Sequence, residues 1–412
     1  MTIGLALPLA APAAAQSTAA QTTAAQATGA SRPPLNLETL TGAQAEQLMA
    51  AGTLTSVQLT RAYLDRIKAL NKRGPGLNAV TQINPDALRE AALADAERAA
   101  GHLRGPAHGL PILMKDLIDV RGMYTSAGNY SLRGSFPATD AGITKKLRGH
   151  GVVILGKLGL SEFANSFGNQ PSGFSNLTGQ VLNGIDADQN PSGSSSGTGA
   201  AMAAALSTLG IGTETSGSII SPSSTQSLVG LRPTVGLVPG YGIAPIDASQ
   251  DTAGPMVRSV ADAAMTLQSI AGPDPASDAE YSAVFGPDYL ATGVIPTPPA
   301  TVPDYMSALD LSFVAGKKIG YNGTLTDGSP LKTAFDALTA AGAILVPRPV
   351  ATLPALPPVP GGYEPHKTID EYYQRLGPDA PIKSLVEEVA DNQANPQQAL
   401  KFGNSQHLSE SL

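Results

Sequence analysis

The chain has 412 residues, 42% of them hydrophobic, enough to bury a sizeable core in one large domain or two to three ordinary ones. Its 26 Lys and Arg against 33 Asp and Glu give a net charge of −7, and only 14% of residues are charged, so no basic surface is offered to nucleic acid and much of the exterior must be neutral polar. No cysteine is present, which excludes a disulfide framework, thiolate metal sites and a cysteine nucleophile together.

Residues 1–15 contain the short apolar run IGLALPLAAPAAA, with small residues at Ala13–Ala15. This has the form of the back half of a secretory signal peptide and is too short to span a bilayer. Export to the periplasm or medium is therefore expected. The basic n-region is absent, since the first Lys or Arg is Arg32; if the run is only an Ala-rich leader, the protein is cytoplasmic. Residues 16–34, rich in Ala, Thr and Gln, read as an unstructured linker. Residues 35–412 are then the folded part.

Thr55 and Ser56 precede a helical pattern in which Val57, Leu59, Tyr63, Leu64, Ile67 and Leu70 lie on or near one face. Residues 85–100, opened by Pro85, predict a second helix. Residues 109–114 (GLPILM) read as a buried strand ending at Lys115-Asp116, and Val152–Leu155 as another. Ala200–Leu209 carries no charge and predicts a helix buried on most sides, and 259–271 an amphipathic one. Alternating strands and helices give an α/β class, a sheet covered by helices. The Pro-rich stretches 294–303 and 346–361 read as loops.

Two familiar motifs fail on physical grounds. Gly151–Lys157 fits G-x-x-x-x-G-K, but Leu158 stands where a magnesium-holding hydroxyl belongs, and the interior residues build a strand rather than a phosphate cradle. Gly193–Gly197 fits G-x-S-x-G with Ser195 central, yet a loop sequence precedes it instead of the buried strand a nucleophile elbow needs. The five histidines (102, 108, 150, 366 and 407) have no metal-ligand spacing and are read as surface or packing residues.

Three segments have unusual chemistry. Lys115 ends an apolar strand, where desolvation would depress its pKa and make it a neutral base, although a lysine there can also snorkel to water. Ser192–Gly197 is a Ser/Gly run opening onto a helix, able to present backbone N–H groups or simply to link. Gly212–Ile219 is a polar turn between apolar segments that puts a hydroxyl beside free N–H groups, or is an ordinary loop.

These segments, quoted as GLPILMKD (109–116), PSGSSSGTGAA (191–201) and GTETSGSIISP (212–222), together with GLRPTVGLVP (230–239) and SQDTAGPMVRSVADAA (249–264), resemble the amidase signature family. The resemblance covers roughly residues 40–272. It implies a single large domain with a central mixed β-sheet covered by helices, and a Ser–cis-Ser–Lys triad without cofactor or metal. Carried onto this chain, Lys115 is the base, Ser194 the bridging serine after a cis peptide bond, and Ser218 the nucleophile. The N–H groups of Thr215, Ser216, Gly217 and Ser218 become the oxyanion hole. Asp251 and Arg258 lie outside the triad and are expected to be structural.

The reaction so implied is hydrolysis of a carboxamide to carboxylate and ammonia, on a small-molecule or peptide amide, with no nucleic-acid partner and no membrane insertion. Ser216 and Ser196 stand where many members have Gly, and Ile220 where many have Arg. The SGSII, SSS and SQDTAGPM stretches look closest to bacterial peptide amidases, which remove C-terminal amides from peptides or amino-acid amides. The alternatives are a glutaminase subunit of an amidotransferase, which shares the triad, and an inactive homologue that only binds. The latter arises because members usually continue past the point where this chain ends in NSQHLSESL, so that the domain is expected to be truncated at its C-terminus.

Overall fold

The computed structural model describes residues 35–292, 295–296, 298–347 and 365–411. The expected signal peptide and linker (1–34), and most of the second Pro-rich stretch, lie outside the described residues.

Two helices open the folded part, α1 (Gly42–Ala50) and α2 (Ser56–Leu70). Each is started by a threonine whose hydroxyl accepts from the N–H three residues on, while a glutamine returns the bond: Thr41 with Gln44, Thr55 with Gln58. Such reciprocal caps satisfy two of the free donors at a helix start. The chain then gives β1 (Val80–Ile83), α3 (Ala87–Ala99), β2 (Pro111–Lys115), α4 (Gly142–Gly149) and β3 (Val153–Leu158). A two-strand ribbon, β4 (Phe174–Ser175) with β5 (Gly179–Gln180), precedes α5 (Ser196–Ala203), β6 (Leu209–Glu214) and α6 (Ile220–Thr225).

The expected helix at 200–209 is thus shifted: helix runs over 196–203 and residue 209 already begins a strand. An uncharged run of small and apolar residues has no polar face to fix its period, so its boundary is not legible from sequence.

Next come β7 (Val229–Gly230), β8 (Thr252–Val257), α7 (Val260–Ile270), α8 (Pro275–Phe285) and α9 (Tyr289–Thr292). The central sheet is six-stranded and mixed, in the order β1-β3-β2-β6-β8-β7. Strands β3, β2 and β6 run parallel, with β1 and β8 antiparallel to their neighbours and β7 antiparallel to β8. Every residue of β2, β3, β6 and β8 is buried, as central strands covered on both faces require. The C-terminal ends of β2 and β6 point the same way, and such ends are where open α/β sheets place their ligands.

A small parallel pair follows, β9 (Lys318–Tyr321) and β10 (Ile344–Pro347), joined through α10 (Pro330–Ala340). The described chain closes with α11 (Pro365–Arg375), α12 (Leu385–Ala394), α13 (Pro396–Ala399) and α14 (Ser405–Glu410). These last helices dock through buried polar groups rather than apolar ones alone. The Tyr373 hydroxyl donates to Glu388 at 2.7 Å, and His407 Nδ1 lies 3.0 Å from the same carboxylate. Asn129 Nδ2 donates to both Glu162 (2.9 Å) and Glu388 (3.3 Å), which ties the tail to the loop before α4. Among the described residues no helix is long and apolar enough to cross a membrane.

Candidate active site

Lys115 is the last residue of β2, and Glu214 the last of β6. Because these strands pair in parallel, Met114 with Ile211, their ends deliver Lys115 and the turn after Glu214 to one place. The Ser/Gly run reaches it from the side, at the start of α5. Gly197, inside that run, can be nothing larger: a Cβ there would lie 2.3 Å from the carbonyl oxygen of Gly159. The Gly193–Ser194 peptide is cis.

Lys115 is fully buried. Its Nζ lies 2.8 Å from Ser194 Oγ, 2.9 Å from Thr213 Oγ1 and 3.3 Å from Thr213 O. Burial without a paired carboxylate pushes its pKa down to about 7, against the milder upward pull of Asp251 and Glu214. Nζ donates to Ser194 and Thr213 when protonated, and once deprotonated its lone pair is within reach of the Ser194 hydroxyl proton.

Ser194 is buried, and its neighbour Ser195 donates its N–H to the Ser218 carbonyl at 3.2 Å. This backbone bond sets the two serine segments side by side. Among the described residues no hydrogen bond joins the Ser194 and Ser218 hydroxyls; catalytic hydrogen bonds often tighten only once substrate is bound. Ser218 is half-buried and Ser216 exposed, so the turn is reachable from outside. Gly217 has φ +99°, a conformation that favours glycine. The four proposed donor residues, Thr215, Ser216, Gly217 and Ser218, occupy consecutive turn positions.

That turn is held from below by Glu214, whose Oε2 accepts the N–H groups of Ile219 (2.7 Å) and Ile220 (2.9 Å). Arg232 reaches Glu214 Oε1 at 3.3 Å and donates to the Thr215 carbonyl at 3.2 Å. Asp251 accepts from the Thr215 hydroxyl, and burial pushes its carboxyl up to about 6 against the bonds from Thr215, Ile246 and Asp247. Sequence reading does not single out Thr213 or Glu214; the signal available for Glu214 is an acid closing an otherwise apolar strand.

Ser195 is fully buried, donating its hydroxyl to Thr213 O (3.1 Å) and accepting Thr213 N–H (3.2 Å), so it is a brace and not an elbow nucleophile. Ser196, in place of a glycine, donates to Ser192 O at 2.6 Å and ties the run together. Lys157, from the failed phosphate motif, is buried on β3 and paired with Asp116 at 2.9 Å. Arg258 donates to the carbonyls of Leu40 (2.8 Å), Ser207 (3.0 Å) and Met202 (3.3 Å), a structural staple. His108 and His407 are buried, while His102 and His366 are exposed. The described residues hold no group of three or more His, Asp or Glu able to bind a metal.

A family model described as Amidase matches residues 58–296. A putative amidase of Arthroderma benhamiae is 42% identical over 305 residues, covering 72% of this chain and 49% of its own length. A glutamyl-tRNA(Gln) amidotransferase subunit from Acidothermus cellulolyticus is 38% identical over 68% of this chain and 51% of its own. The chain therefore spans about half the length of these curated relatives. Among solved structures, the peptide amidase from Stenotrophomonas maltophilia is similar at a TM-score of 0.78 and 42% identity, over 90% of this chain and 75% of that one.

Proposed function

Since the chain belongs to the amidase family, with that family's α/β fold and central mixed sheet, we propose that it hydrolyses a carboxamide to a carboxylate and ammonia through an acyl-enzyme on Ser218. The observation that carries this reading is the 2.8 Å contact between the buried Lys115 Nζ and Ser194 Oγ, beside a turn with Ser218 at its end.

In the first half-reaction, Ser194 takes the Ser218 proton while passing its own to neutral Lys115, and Ser218 Oγ attacks the amide carbon. The oxyanion is met by N–H donors of residues 215–218, each such donor being worth about 2.7–4 kcal/mol. The intermediate collapses as Ser194 protonates the leaving nitrogen and recovers a proton from Lys115, which restores the neutral amine. Water then attacks the acyl-enzyme with the same relay, releasing the carboxylate and regenerating Ser218.

The proposed substrates are C-terminally amidated peptides or amino-acid amides. Similarity to the Stenotrophomonas peptide amidase supports this, and so does Ile220, 46% exposed two residues past Ser218. An apolar residue there suits an uncharged carboxamide and provides no cation for a carboxylate. The test is ammonia release from a panel of amidated peptides, amino-acid, aliphatic and aryl amides, with Ser218→Ala as control. Turnover of peptide amides that is lost in Ser218→Ala supports the reading, and activity retained in that variant overturns it. Ammonia from free glutamine alone would favour the amidotransferase-type glutaminase, a reading supported by the Acidothermus relative. Binding without any release would favour the inactive homologue.

A further inference from the structure

The strand register places Asp251 against the nucleophile turn. Glu214 pairs with Thr252 across β6 and β8, so the next antiparallel pair outward would set Thr215 opposite Asp251. The side chains meet accordingly: the Thr215 hydroxyl donates to Asp251 Oδ1. The other carboxylate oxygen accepts two backbone N–H groups, from Ile246 at 2.7 Å and Asp247 at 2.9 Å. Ile246 lies in a stretch, 243–246 with Ala248, that lines a cavity together with Thr213, Thr215 and Asp251 itself. This stretch is itself fixed to the chain just beyond Lys115, since Ala244 N–H donates to the Leu117 carbonyl at 2.9 Å.

We propose that Asp251 is a positioning residue of the amide-hydrolysing site, locking the nucleophile turn to the 243–248 stretch through the Thr215 hydroxyl and the Ile246 and Asp247 amides. The proposal rests on the reading of Ser218 as nucleophile with N–H donors from residues 215–218. Thr215 is the first of those donors, and its peptide is gripped on two sides. Arg232 takes the Thr215 carbonyl; in a planar trans peptide the N–H of Ser216 then points the opposite way. Asp251 takes the Thr215 side chain, so the first residue of the turn cannot rotate without breaking that bond. Preorganised donors stabilise a developing oxyanion because they need not reorient during reaction.

Asp251 also contributes to the field at Lys115. The charged and titratable groups near it are Asp247, Arg232, which donates to the neighbouring Gln250 carbonyl, Lys115 and Glu214 from the central strands, and Glu280 and Tyr281, which line the same cavity. The negative charges of Asp251 and Glu214 both favour protonated Lys115. Removing one of them therefore makes the amine easier to deprotonate.

The test compares Asp251→Asn and Thr215→Val with the parent chain on a turned-over amide, measuring kcat, KM and the pH dependence of kcat/KM. Asp251→Asn is expected to lower kcat by about 10²-fold with little change in KM, the scale of a small misplacement near the reacting atoms, and to move the acidic limb to lower pH. Thr215→Val is expected to lower kcat similarly but to move the limb less than Asp251→Asn, because the carboxyl group is kept although it loses the bond that favours its charge. Unchanged kcat and an unchanged limb in Asp251→Asn, with Ser218→Ala inactive, would overturn the positioning role and leave the nucleophile reading intact. If Asp251→Asn does not fold, Thr215→Val decides from the other side of the same bond: parental kcat overturns the proposal. Activity in Ser218→Ala overturns the reading beneath it instead.

Discussion

Lys115 and Lys157 are both fully buried on adjacent strands of the sheet, yet among the described ion pairs only Lys157 has a carboxylate, Asp116, at 2.9 Å. Lys115 pairs in register with Leu158, and Lys157 with Met114, so the two side chains leave opposite faces of the sheet. Asp116 follows Lys115 directly but turns to Lys157 and to the Ser126 hydroxyl. Lys115 is left with hydroxyl and carbonyl neighbours only. That difference separates a structural lysine from one able to act as a base.

The kinetic consequence is an acidic limb. With the Lys115 pKa lowered to about 7, kcat/KM for amide hydrolysis should rise through pH 7 and level off above it, because protonated Lys115 cannot accept the Ser194 proton. Lys115→Met should lower turnover by about 10²–10⁴-fold, the range for a general base, while keeping the fold. Stability carries a signature of the same burial, at higher pH. Between about pH 7 and the ordinary lysine value of 10.5, the unfolded chain holds a proton that the native chain has released. Raising pH across that window therefore favours the native state. Lys115→Met should flatten that rise in a denaturant midpoint series, and a profile unchanged by the substitution would count against a depressed Lys115.

Lys157→Met should behave quite differently. It leaves Asp116 buried beside Ser126 without its cation, and breaking a buried pair costs about 3–5 kcal/mol. Adding Asp116→Asn removes the stranded charge, so the double variant should be more stable than the sum of the two single losses. Urea unfolding of the four proteins gives the coupling directly, and simple additivity would show the pair to be energetically idle.

How much of this is legible in the residues follows from where the information lies. Lys115, Ser194 and Ser218 sit in contiguous motifs whose oddity shows in one dimension, a lysine ending an apolar strand and a Ser/Gly run entering a helix, although the turn read over 212–219 begins only after Glu214, where β6 ends. Two strands of the sheet's parallel centre, β2 and β3, are readable as short apolar runs between helices, whereas β6 is hidden in the uncharged run read as helix and the turn that follows it. Lys157 is visible only as part of a motif that fails, because its meaning depends on Asp116, 41 positions earlier and brought near by strand pairing. Thr215 with Asp251, and His407 with Glu388, likewise require the register of β6 against β8 or the docking of the last helices. No local pattern encodes such pairs.

Glu214 offers a test of the turn itself. Its Oε2 accepts the two N–H groups just past Ser218, so Glu214→Ala should free the turn and lower kcat by about 10²-fold with KM nearly unchanged. Glu214→Gln retains one acceptor oxygen and should fall between the parent and the alanine variant. It should also shift the acidic limb to lower pH, since the Glu214 charge helps to hold the Lys115 proton. Steady-state kinetics with a far-ultraviolet circular dichroism check distinguishes this from unfolding. Equal activity in all three proteins would remove Glu214 from the site.

Asp119 gives a pH effect on stability of the opposite sign to Lys115. It is buried just beyond β2, accepts the Tyr372 hydroxyl at 3.0 Å and is pushed up to about 7 by burial, against the pull of Lys157 and bonds from Thr125 and Tyr372. Between its ordinary value of 3.8 and about 7, the native chain holds a proton that the unfolded chain has lost. Stability from this group is therefore present at acid pH and lost as pH rises through 7, at up to about 1.4 kcal/mol per pH unit. Asp119→Asn keeps an acceptor for Tyr372 and carries no charge at any pH. Measured as midpoint differences from the parent, its effect should be small near pH 4 and grow increasingly stabilising toward pH 8. The carboxylate also lies between the central sheet and α11, so the gain should appear in the docking of the last helices, as slower amide exchange across 365–375. A variant destabilised equally at both pH values would show instead that Asp119 is held as a charged partner of Lys157.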